Sequence, residues 1–316
     1  MARLAVLLVC VILAACAPVT APGGLENVAP SVSDEFFTTH DGLALPLRHW
    51  DATAPRAVIL ALHGMNDYSN AFAMPAPYWA EHGLTTYAYD QRGFGRAPNP
   101  GLWAGEAALD RDLADCLEAL RARHPGLPIF VLGESMGGAV VLTRFAAERP
   151  PRADGLILVA PAVWSRDDMP FYYRLALWFS AHVMPGYTVT GKGVVKIWPS
   201  DNIDMLRKFS RDPLVIKETR PDAVWGLVNL MDDAREAAGR LKDPPPILML
   251  RGEKDQVIPP ASAAETAKHL SAYPGFEQHV YPKGYHMLLR DLAGPDYWKD
   301  VVTWIDQRLT ASPSPH

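Results

Sequence analysis

The ten residues VLGESMGGAV, 131–140, place Ser135 between two glycines, each two positions away, at the point where an apolar run ends. The run "IFVL" that precedes the turn has strand length, and "GGAVVLTRFAAER" continues beyond it as a helix. A serine at such a junction sits on a tight turn, and flanking glycines let strand and helix approach without side-chain clashes. Gly133 and Gly137 meet that need. The bare G-x-S-x-G pattern arises by chance about once in ten chains of this length, so the information lies in its context. That context makes Ser135 a candidate nucleophile. A hydroxyl attacks poorly at neutral pH unless a base takes its proton, and the developing oxyanion needs donors already aimed at it.

Outward from this turn, apolar runs of strand length alternate with longer segments of helical period. "LALPLRHW", "AVILAL" and "LTTYAY" precede it; "GLILVAPA", "ILMLRG" and "FEQHVY" follow. In "EAALDRDLADCLEALRAR" the residues Leu109, Leu113, Cys116, Leu117 and Leu120 recur at three- and four-residue intervals and share one helix face, where Cys116 is inert packing. "SAAETAKHL" and "YWKDVVTWIDQRL" are further helices. The pattern predicts an α/β fold: a mostly parallel central sheet flanked by helices on both faces. The rhythm breaks after Pro161. From 162 to 239 no strand-helix alternation is visible, and "FYYRLALWFSAHVMP" is apolar nearly all the way round. This predicts an inserted, mainly helical cap between a first core part, 34–161, and a second, 240–310, with a short tail at 311–316.

The base must be a histidine at the top of the sheet, after the acid in chain order. His269 falls inside a helix, His279 inside a strand and His316 at the terminus; His286 occupies the loop "PKGYHMLL" just after a strand. The acid should leave "ILMLRG" at its carboxyl end, where Glu253 and Asp255 both qualify and Asp255 is further out on the loop. It would orient His286 and stabilise the imidazolium. The expected oxyanion donors are the backbone N–H groups of Met136, after the nucleophile, and Met65, in the loop "ALHGMNDYS" after an early strand. His63 in that loop is a competing base, but it precedes both Ser135 and Asp255.

With these residues in view, the chain resembles the α/β-hydrolase superfamily, and within it the monoacylglycerol lipase and lysophospholipase branch, also grouped with serine aminopeptidases. The resemblance runs from about Asp34 to Leu309 and rests on "LHGM", "DQRGFG", "GESMGG", "GEKD" and "GYH", in that order; "SRDPL" looks like a cap element of the same branch. It implies Ser135 as nucleophile, Asp255 as acid, His286 as base and the amides of Met65 and Met136 as oxyanion hole, with no cofactor or metal. Asp90 and Arg92 read as loop-fixing residues. One departure is that Arg96 and Ala97 follow "GFG" where the family usually has a serine, which bears on substrate fit. A serine at the nucleophile position argues against haloalkane dehalogenase chemistry.

The resemblance further implies a lipid or ester small molecule as substrate. The cap's Trp164, Phe171, Tyr172, Tyr173, Leu175, Leu177, Trp178, Phe179 and Met184 suit an acyl chain, each buried methylene contributing about 0.8 kcal/mol, or serve only to glue cap to core. A peptidase of the aminopeptidase branch would need acidic groups for a substrate ammonium, for which Asp167 and Asp168 are the candidates. A non-catalytic envelope lipoprotein is the third reading.

The first residues, "MARLAVLLVCVILAAC", carry one positive charge at Arg3 and an apolar run too short to cross a bilayer as a permanent helix, the build of an export signal over 1–15. Its end, "LAAC", resembles the lipobox of bacterial lipoproteins. This implies acylation of Cys16, membrane attachment and residence in the bacterial cell envelope, facing the periplasm from the outer membrane in a Gram-negative cell; a plain secretory signal cut near Ala17 is the alternative. Residues 16–33, rich in proline, glycine and small polar residues, read as lipidated end and linker. Cys10 leaves with the signal and Cys16 takes lipid, so no internal disulfide is expected. Of 316 residues 49% are hydrophobic and 21% charged, a globular balance. Loss of Arg3 leaves 29 basic against 35 acidic residues, a formal charge of −6, so attachment would rest on acyl chains rather than a basic patch, and nucleic acid is not an expected partner.

Overall fold

A computed structural model describes residues 17–188 and 197–311; the expected signal, Cys16 and His316 lie outside them. Among the described residues nine strands form one sheet: β1 (Ser31–Val32), β2 (Phe36–Thr38), β3 (Ala44–Trp50), β4 (Ala57–Leu62), β5 (Leu84–Tyr89), β6 (Ile129–Glu134), β7 (Gly155–Val159), β8 (Ile247–Gly252) and β9 (Phe276–Tyr281). Their order is β1-β2-β3-β5-β4-β6-β7-β8-β9. Contacts among β1, β2, β3 and β5 are antiparallel, and all contacts from β5 through β9 are parallel. The α/β architecture expected from the alternation is the observed one.

Why the central strands read as continuous apolar runs follows from the layers. In β4 the side chains of Val58, Leu60 and Leu62 enter one core and those of Ala57, Ile59 and Ala61 the other. The first core is covered by α2 (Glu106–Arg123), α3 (Met136–Phe145), α6 (Pro221–Ala237) and α7 (Pro260–Leu270); the second by α1 (Pro75–Glu81) and α8 (Gly294–Ala311). On α2 the predicted face, Leu109, Leu113, Cys116, Leu117 and Leu120, is buried, and burial pushes the Cys116 thiol well up.

The region 162–239 holds α4 (Phe171–Val183), α5 (Ile203–Arg211) and α6. These three behave differently. On α4 only Ala181 is fully buried, whereas Ala223, Val228, Leu230, Met231, Ala234 and Ala237 of α6 enter the core beside α3. Helix α4 therefore rests on α6, and α6 rests on α3, which in turn packs on the sheet. No helix among the described residues is long and apolar enough to cross a membrane.

Candidate active site

Strand β6 ends at Glu134 and α3 begins at Met136, so Ser135 alone makes the turn. Its φ of 53° and ψ of −115° lie where a side chain is rarely tolerated, at a cost of order 1–3 kcal/mol. The turn closes because its neighbours lack side chains. A Cβ on Gly133 would stand 2.4 Å from the Gly137 carbonyl oxygen, and one on Gly137 2.3 Å from that of Leu62. The Ser135 N–H donates to the Val159 carbonyl at 3.0 Å and its own carbonyl accepts from the Ala162 N–H at 2.9 Å. The strained residue is thus pinned from both sides by the end of β7.

The loops after β8 and β9 bring two further side chains to this serine. His286 Nε2 lies 2.9 Å from Ser135 Oγ, and His286 Nδ1 lies 2.8 Å from Asp255 Oδ2. A carboxylate only accepts, so Nδ1 carries the proton and Nε2 offers its lone pair to the hydroxyl. The other oxygen of Asp255 accepts from the N–H groups of Val257 at 2.7 Å and Ile258 at 2.9 Å, which fixes the carboxylate in the loop. Asp255 and His286 are buried, while Ser135 is partly open to solvent. This is an arrangement in which a hydroxyl can lose its proton to an oriented imidazole as it attacks an electrophile.

The loop after β4 lies against the same hydroxyl. A Cβ on Gly64 would stand 3.1 Å from Ser135 Cβ and 3.7 Å from its Oγ, so a side chain there would crowd the serine. Met65 follows it directly. Among the described residues, neither the Met65 nor the Met136 backbone N–H has an acceptor. His63 is wholly buried. Its Nε2 accepts from the Gln91 N–H at 2.9 Å and its Nδ1 therefore donates to the Gly64 carbonyl at 2.8 Å, while Gln91 Nε2 donates to the His63 carbonyl at 2.8 Å. Burial lowers its pKa. Both ring nitrogens are occupied in holding the loop, which leaves none to act as a base.

The remaining candidates stand elsewhere. Glu253 is exposed, its N–H bonded to the Tyr281 carbonyl. His269 pairs with Glu265 on α7, and His279 with Glu277 and Asp300. Asp90 accepts from the N–H groups of Ser69 and Arg96, at 2.9 Å and 2.8 Å; Arg92 forks onto both Asp41 and Asp112. Both residues fix the "DQRGFG" loop. Among the described residues no group of three or more His, Cys, Asp or Glu could hold a metal ion.

A buried ion cluster beneath the site has no counterpart in the motif reading. Arg290 Nη1 lies 2.7 Å from Asp67 Oδ2 and Nη2 donates to Glu134 Oε2 at 3.1 Å, with all three side chains under 10% exposed. It joins the Met65 loop, the residue before Ser135 and the loop of His286. Burial raises the Glu134 carboxyl even with Arg290 beside it. One signal was available: a charged Glu134 inside an apolar strand end demands a partner. The cap reaches the same loop: Ser200 Oγ donates to Asp291 at 2.6 Å, Asn202 Nδ2 to the Arg290 carbonyl at 3.0 Å, and the Met287 N–H to the Pro199 carbonyl at 2.8 Å.

Comparison with known proteins places the fold and the family. The family described as Serine aminopeptidase, S33 matches residues 53–293. A monoacylglycerol lipase of Mycolicibacterium smegmatis is 27% identical over 298 residues, covering 89% of this chain and 100% of its own. The monoglyceride lipase of Homo sapiens is 26% identical over 288 residues, covering 86% of this chain and 91% of its own. The crystal structure of a Paleococcus ferrophilus monoacylglycerol lipase superposes with a TM-score of 0.68 at 22% identity, over 84% of this chain and 99% of that one. The chain belongs to the serine aminopeptidase S33 family of the α/β-hydrolase fold and is a serine hydrolase.

Proposed function

We propose that the protein hydrolyses lipid-like carboxylic monoesters, a monoacylglycerol or a lysophospholipid, through an acyl-enzyme formed on Ser135. The carrying observation is the unbroken chain of hydrogen bonds from Asp255 through His286 to Ser135 Oγ. In this mechanism Ser135 Oγ attacks the ester carbonyl while His286 Nε2 takes its proton. The N–H groups of Met65 and Met136 receive the oxyanion, and Asp255 holds the imidazolium. His286 then protonates the leaving alcohol, and a water activated by the same nitrogen releases the fatty acid and restores the serine.

The cap supports a lipid-like substrate. Phe171, Tyr172, Tyr173, Leu175, Trp178 and Phe179 are about half exposed or more, which glue between cap and core would not be. Similarity to monoacylglycerol lipases points the same way. Of the two candidate acids for the aminopeptidase reading, Asp168 is engaged, pairing with Arg235 and accepting from Ser262 Oγ at 2.8 Å, while Asp167 is exposed at the surface. The same proposal includes acylation of Cys16 and anchorage in the bacterial envelope, with substrate arriving laterally from the bilayer.

Fluorophosphonate labelling of the wild type and of Ser135→Ala, followed by long- and short-chain esters and aminoacyl anilides, tests this. Expected are labelling lost in the variant, preference for long-chain monoesters and no anilide turnover. Labelling that survives the substitution rejects Ser135, and a preference for acetyl or butyryl esters rejects the lipid substrate.

A further inference from the structure

The residues that follow Cys16 have the composition of a free linker, yet they lie along the body of the protein. The Val19 N–H donates to Asp222 Oδ2 at 3.3 Å, Thr20 bridges Trp103 in parallel, and the Ala21 N–H donates to the Trp103 carbonyl at 2.7 Å. Further on, the Gly24 N–H donates to Asp41 Oδ2 at 2.8 Å, the Glu26 N–H to the Asp41 carbonyl at 3.3 Å and the Val28 N–H to the His40 carbonyl at 2.9 Å. Gly24 is required there, because a Cβ would stand 1.8 Å from the Asp41 carbonyl oxygen. Strap and body are fitted to each other.

The near end of this strap meets the base of α4. Asp222, which receives Val19, opens α6, and its own N–H faces the Pro185 carbonyl at 3.5 Å, just past the last residue of α4. Helix α4 and the turn after it carry a cluster of exposed apolar side chains: Phe171 is 77% exposed, Leu175 63% and Tyr187 66%. Trp178 and Phe179 lie on the same helix at four-residue steps from Arg174 and Leu175. No Asp or Glu occurs between Asp168 and Asp201, although the mature chain carries a net negative charge, and Arg174 adds a cation. An apolar face without acidic groups matches an anionic lipid surface that the remaining surface would repel.

We propose that residues 17–28 are an orienting strap: they hold the acylated end of the chain at the base of α4, so that the acyl anchor and the apolar face of α4 enter one bilayer. Two residues separate Val19 from Cys16, and three chain steps keep the lipid attachment point within about 11 Å of Val19. Helix α4 is about 20 Å long, roughly twice that reach, so the anchor is held nearest its C-terminal half. The partner of the α4 face is then the membrane that holds the acyl chains. This rests on the proposed acylation of Cys16 and deepens the proposed lateral supply of substrate.

The test uses the acylated mature protein in vesicles of phosphatidylethanolamine and phosphatidylglycerol, with a nitrobenzoxadiazole label on Leu175→Cys; Cys116 is buried and does not compete. Label emission should shift to the blue and be quenched by doxyl lipid. Inserting fifteen Gly and Ser residues between Pro18 and Val19 should reduce the quenching by about twofold or more, because a long flexible linker dilutes the intramolecular encounter. Exchange of the Ala21, Glu26 and Val28 amides should be about tenfold or more slower than in a free chain. An unshifted label overturns the shared membrane face, equal quenching in the insertion variant overturns the orienting role, and free-chain exchange or an unmodified Cys16 in the mass spectrum overturns the strap itself. None of these readouts measures ester turnover, so a protein that passes them without cleaving monoesters rejects the substrate reading alone.

Discussion

Arg290 serves two buried carboxylates, Asp67 and Glu134, from four residues beyond His286. Removing its charge leaves two nearly buried acids, Asp67 4% and Glu134 3% exposed, without a cation, a change that costs about 3–5 kcal/mol. Arg290→Gln is therefore expected to lower the urea midpoint strongly at neutral pH, Arg290→Lys less so, since it keeps the charge and loses the fork. Midpoints equal to wild type in both variants would show that the cluster contributes nothing. The cluster also marks where the sequence stops being legible. Ser135, Asp255 and His286 stand out because each occupies a fixed offset from a strand end. Arg290 and Glu134 are 156 residues apart, and no local pattern links them.

At the scale of elements, the strands flanking Ser135 were legible because burial on both faces makes them continuous apolar runs, and α2 because its buried face repeats at helical spacing. Strands β1 and β2, of two and three residues, are too short to carry a period, and they pair through backbone groups that any residue offers. Helix α6 was hidden differently: it packs on α3 from within the insertion, so its place is set by tertiary contact rather than by alternation. Packing of α3 against β4 depends on Gly137. Gly137→Ala puts a methyl into the Leu62 carbonyl and should cost about 1–3 kcal/mol while displacing the turn of Ser135, seen as a lower melting temperature together with lost ester turnover. Gly239→Ala, where the nearest atom to the new methyl is 3.7 Å away, is the control and should leave both unchanged. Equal behaviour of the two variants would remove the packing argument for the turn.

For the molecule as a whole, buried carboxylates pull the pH dependence of stability in opposite directions. Arg92 holds the Asp41 carboxyl well below the usual range, so its contribution is present above the unfolded pKa near 3.8 and is lost as pH falls below it. Burial instead pushes Asp110, Asp112 and Asp291 up to about 6. A raised carboxyl binds its proton more tightly folded than unfolded, so stability falls as pH rises from about 4 to about 6 and stays reduced above. Asp110 isolates this effect, because its bonded partner is the Thr143 hydroxyl, which donates at 2.7 Å and would find an equivalent acceptor in an amide oxygen. Asp110→Asn removes the buried charge and keeps that bond. It should raise the unfolding free energy by about 1–2 kcal/mol at pH 8, less than the full shift implies because the side chain retains some contact with water. At pH 4 the wild-type carboxyl is already protonated in the folded state, and the gain should shrink to a few tenths. Urea unfolding at the two pH values decides it: a gain of equal size at both would assign the effect to packing rather than to the buried charge.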